Sequence, residues 1–212
     1  MRAPFIAGTF PFPVKYGYAT VGVVEQGSTD LVGRTVFTLH PHQTLFDVPS
    51  AAAVTVPSRV PAARAVLAAN METALNAVWD AGADTFGKVA VVGAGVVGAL
   101  TGLLLRQLAS ADVTLVDVDP ARASVALRFG LAFAAPDHAP TECDLVVHAS
   151  ATAAGLATAL ASAADEATVL ELSWYGSADV PVPLGGAFHS RRLKLIASQV
   201  GKVASSALSF GW

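Results

Sequence analysis

A single cysteine, Cys143, occurs in 212 residues. That excludes a disulfide framework and a thiolate zinc cluster, and leaves the thiol to serve as a small apolar residue beside the strand-like Leu145–Val147. Charge is sparse as well: Asp, Glu, Lys and Arg make up 14% of the chain, and the net charge is −3. Such a balance offers no basic field to a nucleic acid. The longest uncharged run, Val89 to Leu105 between Lys88 and Arg106, falls just short of a membrane span and is interrupted by glycines. Pro4, Pro11 and Pro13 break up any signal-like apolar stretch at the start. These absences predict a soluble, cytoplasmic protein with neither nucleic-acid nor membrane partners. What is abundant is apolar surface: 53% of the residues are hydrophobic, enough for a sizeable core.

The most informative stretch is Lys88-Val-Ala-Val-Val-Gly93-Ala-Gly95-Val-Val-Gly98. Val89 to Val92 suit a strand buried on both faces of a parallel sheet. Gly93 permits a tight turn, Gly95 leaves room for a ligand against the backbone, and Gly98 lets the next helix pack close on the strand. That helix is predicted over 96–109, its amino-terminal N–H groups and positive dipole end directed at a pyrophosphate. Val96 and Val97, in its first turn, belong to the same candidate site. The next strand, Val113–Asp117, ends in an acid nineteen residues after Gly98, which is the spacing of a dinucleotide fingerprint.

Around this stretch the texture changes along the chain. Residues 1–60 are punctuated by proline and glycine, with short β-rich pieces at 19–25, 35–39 and 44–48 that predict a small antiparallel sheet or barrel. From Pro61 to Ala81 the pattern is helical, with Pro61 suited to the first helical position and Gly82 to the stop. Strands and helices then alternate over 61–202, the dinucleotide-binding portion. Strands are predicted at 89–92, 113–116, 131–134, 144–148, 168–172 and 193–197, and helices at 120–129 and 153–163. Six strands alternating with helices give an α/β, doubly wound parallel sheet of Rossmann type. Residues 203–212 form a tail without periodicity.

Asp117 is placed to accept hydrogen bonds from both adenine-ribose hydroxyls and to repel a 2′-phosphate, so NAD(H) is expected over NADP(H). Arg122 lies close by, either softening that discrimination or on a solvated helix face. Asp119, before Pro120, suits a helix N-cap. His148 ends a strand at the sheet's carboxyl edge and reads as a pocket wall, with Ala149 following it into the cofactor site. Trp174 and Tyr175 end the next strand, for the cleft or a subunit contact. His40 and His42 are the close histidine pair: two strand residues on one face could start a metal site, or both could be loop residues, and no third ligand is suggested.

The chain resembles the medium-chain dehydrogenase/reductases, the alcohol-dehydrogenase-like proteins. Pro13–Val24 is similar to the family's Gly-His-Glu segment, Leu31–Val36 to its Gly-Asp-x-Val strand, and Asn70–Ala74 to the helix beneath the nicotinamide. The glycine turn follows at the family's distance, and Ala197-Ser198-Gln199-Val-Gly201 resembles the segment holding the carboxamide end of the cofactor. The resemblance implies a partial GroES-like β lobe over 1–60 before the Rossmann domain, Ser198 and Gln199 as cofactor contacts, and a homodimer paired along sheet edges near 193–197 and 180–184. It also implies further sequence beyond Met1 and Trp212.

Departures from the family pattern matter equally. Tyr18-Ala19 stands in place of the His-Glu pair and Ala69 where zinc-binding members carry a cysteine, so no catalytic zinc is expected. Tyr18 then either donates a phenolic hydrogen bond in hydride transfer or packs at a hinge. Thr73 is expected against the nicotinamide ring, and Glu72 on the helix beside it. The implied function is NAD-dependent, zinc-independent hydride transfer with a small alcohol or carbonyl substrate; the alternative is a non-catalytic NAD-binding protein or a truncated remnant of such an enzyme.

Overall fold

The structure is a computed structural model, and it describes residues 7–8, 14–82 and 86–201. The tail at 203–212 lies outside the described residues. Two compact units divide between Ala69 and Asn70.

The first unit carries short strands. β1 (Ala7–Gly8) pairs antiparallel with β2 (Val14–Lys15). β3 (Thr20–Val23), β4 (Thr35–Thr38) and β5 (Val54–Thr55) form a three-stranded antiparallel sheet in that order. Gly17 has φ +93°, and a Cβ there would collide with the His42 ring. The expected strand at 44–48 does not form. Instead the chain bends so that Phe46 stacks on His40, ring centroids 3.9 Å apart, and Pro49, which has no N–H to give a ladder, closes the segment. The helical stretch after Pro61 is also interrupted. α1 (Ala62–Ala65) is one turn, with Pro61 as its N-cap rather than inside it. The N–H of Leu67 reaches back only three residues, to Arg64 O at 3.0 Å, before α2 (Ala68–Ala81) begins.

In the second unit the alternating pattern becomes a six-stranded, wholly parallel sheet. Its strands are β6 (Lys88–Val92), β7 (Asp112–Val116), β8 (Ala132–Ala134), β9 (Cys143–His148), β10 (Ala163–Glu171) and β11 (Lys194–Ala197). They lie in the order β11-β10-β9-β6-β7-β8, the doubly wound arrangement in which direction reverses between β6 and β9. α3 (Val96–Ala109) follows β6, α4 (Ala123–Phe129) follows β7, and α5 (Ala153–Ser162) follows β9. The predicted α/β fold class is therefore the observed one.

Two apolar layers sandwich the sheet. On one side Val89, Val91, Leu145 and Val147 pack with Ala77 and Val78 of α2 and with Ala99 and Leu105 of α3. On the other, Ala90, Val92, Val146 and Val169 pack with Leu156, Ala159 and Leu160 of α5. The inner strands β6, β7 and β9 are buried on both faces, which explains why their sequences are nearly continuous apolar runs instead of alternations. Cys143 is fully buried at the start of β9, as its apolar surroundings predict. Among the described residues no helix is long and apolar enough to cross a membrane.

Candidate functional site

Register decides where the site lies. Val92 of β6 stands level with Val116 of β7 and with His148 of β9, and His148 stands level with Glu171 of β10. The loops that leave these four strands therefore emerge together at the carboxyl edge of the sheet, at the point where strand order reverses. A cleft of about 380 Å³ opens there. Gly93 and Gly95 line it from the first loop, Asp117, Asp119 and Arg122 from the second, and Ala149, Ser150 and Thr152 from the third.

Each of the three glycines has its own reason. Gly93 turns with φ +106°, and a Cβ on it would come within 2.6 Å of the Ser150 nitrogen and 2.7 Å of the Ala149 carbonyl carbon. A Cβ on Gly98 would run into the carbonyl oxygen of Gly93, so helix and strand meet only because it is absent. A Cβ on Gly95 would meet nothing within 4 Å: the space beside its Cα is open to the cleft, as a bound ligand requires. Val96 and Val97 sit in the first turn of α3, beside the cleft lining but not part of it, with Val96 exposed.

The acid and the glycine turn are tied directly. Asp117 Oδ2 accepts the Ala94 N–H at 2.7 Å, and Oδ1 accepts the Asp119 N–H at 2.9 Å. Two N–H bonds hold the carboxylate in the cleft and leave lone pairs on each oxygen for a ligand. Asp119 caps the next turn through the Ala121 N–H at 3.0 Å, as its place before Pro120 predicts. Its other oxygen lies 3.4 Å from Arg122 Nε. Two carboxylates and one guanidinium thus face this end of the cleft.

A second helix also begins at the cleft. Thr152 is the N-cap of α5, its Oγ1 accepting the Gly155 N–H at 3.0 Å, and Ala154, Gly155 and Thr158 line the wall. Neither Ser150, Thr152 nor the α5 contribution was read from the sequence; the signal available was the Ser-x-Thr pair placed directly after a buried strand.

Behind this wall lies a buried polar chain. His148 is wholly buried rather than a wall residue itself. Its Nδ1 is 2.7 Å from Glu171 Oε2 and its Nε2 is 2.7 Å from Ser150 Oγ, which in turn lies 3.0 Å from Thr152 Oγ1. Glu171 also accepts the Ser173 N–H at 2.7 Å and the Tyr175 hydroxyl at 3.3 Å. Burial pushes the Glu171 carboxyl up, but the hydrogen bonds from His148 and Ser173 outweigh it and hold the group below its ordinary value. Tyr175 moves the other way, raised by burial and by the Glu171 charge. Acid, imidazole and hydroxyl in this order can polarise Ser150 Oγ. The backbone donor beside it, the Ala151 N–H, is already bonded to Ser173 Oγ at 3.0 Å, so it cannot supply an oxyanion hole for acyl transfer.

Other expected residues lie elsewhere. Ser198 follows β11 and is engaged with α2, its Oγ 2.6 Å from Asp80 Oδ2, while its N–H donates to Glu171 O at 2.9 Å. Gln199 Oε1 accepts the Gly201 N–H at 2.5 Å. Neither lines the cleft. Thr73 is half-buried on α2 and Glu72 exposed beside it, whereas Tyr18 is half-buried in the first unit. His40 and His42 lie beyond the end of β4. His40 is occupied by Phe46 and by Pro41 O at 2.8 Å from Nδ1, and His42 by the packing on Gly17. Among the described residues no three of His, Cys, Asp and Glu converge on one point.

No protein-family model matches the chain, and no curated protein matches it. Many solved structures share its fold. An alcohol dehydrogenase from E. coli CFT073 complexed with NADH superposes with a TM-score of 0.71 at 16% identity, over 93% of this chain and 71% of that one. Galactitol-1-phosphate dehydrogenase from Escherichia coli gives 0.72 at 16% identity over the same shares. The quinone oxidoreductase from Thermus thermophilus, solved also with NADPH, gives 0.67 at 20% identity over 96% of this chain and 68% of that one.

Proposed function

We propose that the chain binds NAD(H) in the cleft of its second unit and belongs to an alcohol-dehydrogenase-like oxidoreductase that uses no catalytic zinc. The observation that carries the reading is the bond from the Ala94 N–H to Asp117, which fuses the glycine turn and the ribose-recognising acid into one cleft. The dehydrogenases that share the fold, some solved with NADH or NADPH, support the same class.

The residues fit a dinucleotide. The first turns of α3 and α5 bring two positive dipole ends to the cleft, where a pyrophosphate is favoured. The space at Gly95 admits it. Asp117 takes the ribose hydroxyls on its remaining lone pairs. With Asp119 already holding Arg122, a 2′-phosphate would meet net negative charge, which favours NAD(H) over NADP(H). When bound, the nicotinamide supplies the hydride chemistry. Of the second unit's own side chains, Thr73 is the candidate to orient the ring. Tyr18 and Ala69 stand where the family resemblance would put zinc ligands, which supports chemistry without the metal.

The test is to titrate NADH and NADPH into the protein and then follow nicotinamide absorbance with a panel of alcohols, aldehydes and ketones, with and without chelator. Tighter NADH binding and chelator-resistant turnover are expected. NADH binding with no turnover on any substrate favours a non-catalytic dinucleotide-binding role, and absence of NADH binding overturns both.

A further inference from the structure

We propose that Glu171, His148 and Ser150 form a proton-operated switch in the cleft: cofactor binding draws one proton from solvent onto His148, and this turns Ser150 into a hydrogen-bond donor facing the bound anion. The proposal rests on the dinucleotide reading above and adds to it a binding residue and a pH dependence.

The two hydrogen-bond patterns follow from the geometry. With a neutral imidazole, Nδ1–H donates to Glu171 Oε2 and Nε2 must accept, so the Ser150 hydroxyl hydrogen points inward to His148. Ser150 then presents only lone pairs, one of them used by the Thr152 hydroxyl. The chain carries the net negative charge of Glu171, held just behind the wall of an anion-binding cleft. With an imidazolium, both ring nitrogens donate. Nε2–H now points at Ser150 Oγ, the serine hydrogen is released toward the cleft, and Thr152 Oγ1 is freed to do likewise. The pair becomes neutral overall.

A bound pyrophosphate favours the second pattern twice over. It is repelled by the buried negative charge of the first pattern, and it rewards the donor that only the second provides. Little else competes for control of His148. α5, which packs against its face of the sheet, carries no ionisable side chain between Ala153 and Ser162. The neighbouring strand β6 offers Val92 at that level. On the β10 side the titratable groups are Glu171 and Tyr175, and across the cleft stand Asp117, Asp119 and Arg122. No bond is made or broken apart from the transfer of one solvent proton to the imidazole.

Calorimetric titration of NADH into the whole protein, in buffers of differing ionisation enthalpy, reads the proton directly. Net proton uptake on NADH binding is the expected result, and the Kd rises by up to about tenfold per pH unit wherever that uptake occurs. Ser150→Ala removes the released donor and leaves only the repulsion from Glu171: uptake falls clearly below that of the unmodified protein and NADH binds about tenfold or more weakly. Ser150→Thr, which keeps a hydroxyl, restores much of both. His148→Gln, if it folds, abolishes uptake altogether. NADH binding with no proton uptake in the unmodified protein, or uptake unchanged in Ser150→Ala, overturns the switch and leaves the dinucleotide reading standing. Failure to bind NADH at all overturns both together.

Discussion

The N–H of Ala94 donates to Asp117 Oδ2 at 2.7 Å, across two neighbouring strand ends. The acid therefore both shapes the glycine turn and faces the cleft. Replacing it removes a brace of the turn and, on the proposed reading, a ribose contact as well. Asp117→Ala is expected to weaken NADH binding by about 1–3 kcal/mol, the scale of hydrogen bonds to a charged group, and to weaken NADPH binding less. Fluorescence titration of both cofactors measures the ratio. Tighter NADPH than NADH binding by the unmodified protein would contradict the ribose assignment.

Gly98→Ala tests the close packing of α3. Alanine is the better helix former by roughly 1 kcal/mol, but its Cβ would overlap the Gly93 carbonyl oxygen, and that atom belongs to the turn itself. Overpacking of this kind costs typically about 1–3 kcal/mol. The expected net result is a Tm lower by several degrees together with weaker NADH binding. A Tm equal to or above that of the unmodified protein would show that the helix can shift freely.

Glu171 gives an acid limb to stability. Its folded value is depressed below 4.5, so the unfolded chain binds a proton more readily than the folded one. Its contribution is thus complete above about 4.5 and is lost as pH falls through the lower folded value. Urea midpoints measured from neutral pH down to about pH 3 should show this decline. Glu171→Gln should be less stable at neutral pH and lose part of the acid slope; an unchanged slope would mean that other carboxylates set it.

Cys143 is buried, and burial lifts its thiol to about 11, against the opposing pull of Lys88. Native protein should react with an aromatic disulfide reagent only on the timescale of unfolding, and denatured protein at once. Fast labelling of the native state would show that this end of β9 opens.

The β11 strand is a sheet edge with Leu195 and Ile196 partly exposed. An edge with no strand beyond it among the described residues invites pairing, and the family resemblance suggests a second copy as its partner. We expect a dimer in solution and a monomer for Ile196→Lys. A strictly monomeric unmodified protein at micromolar concentration would contradict this.

Much of the second unit was legible because its signals are local. The run Val89–Val92, the glycines after it and the acid ending the next strand are each read within a few residues, and α3 begins and ends where the pattern places it. The segment at 44–48 misleads for the converse reason. Its β-prone residues are outweighed by the His40–Phe46 stack and the prolines around it, a tertiary effect that propensity does not contain. The buried chain behind the cleft was hidden in another way. His148 and Glu171 are 23 residues apart and meet only through the register of β9 on β10. Glu171 itself was the clue: a carboxylate within a strand as apolar as Thr168–Leu172 requires a buried partner.

Calorimetry decides whether the cleft beside Gly95 and Asp117 holds the adenosine diphosphate half of a dinucleotide. NADH should bind once per chain, ADP-ribose should compete for the same site, nicotinamide mononucleotide should compete poorly, and Asp117→Ala should weaken NADH and ADP-ribose alike. No NADH binding, or NADH binding that neither ADP-ribose nor Asp117→Ala disturbs, would contradict the account.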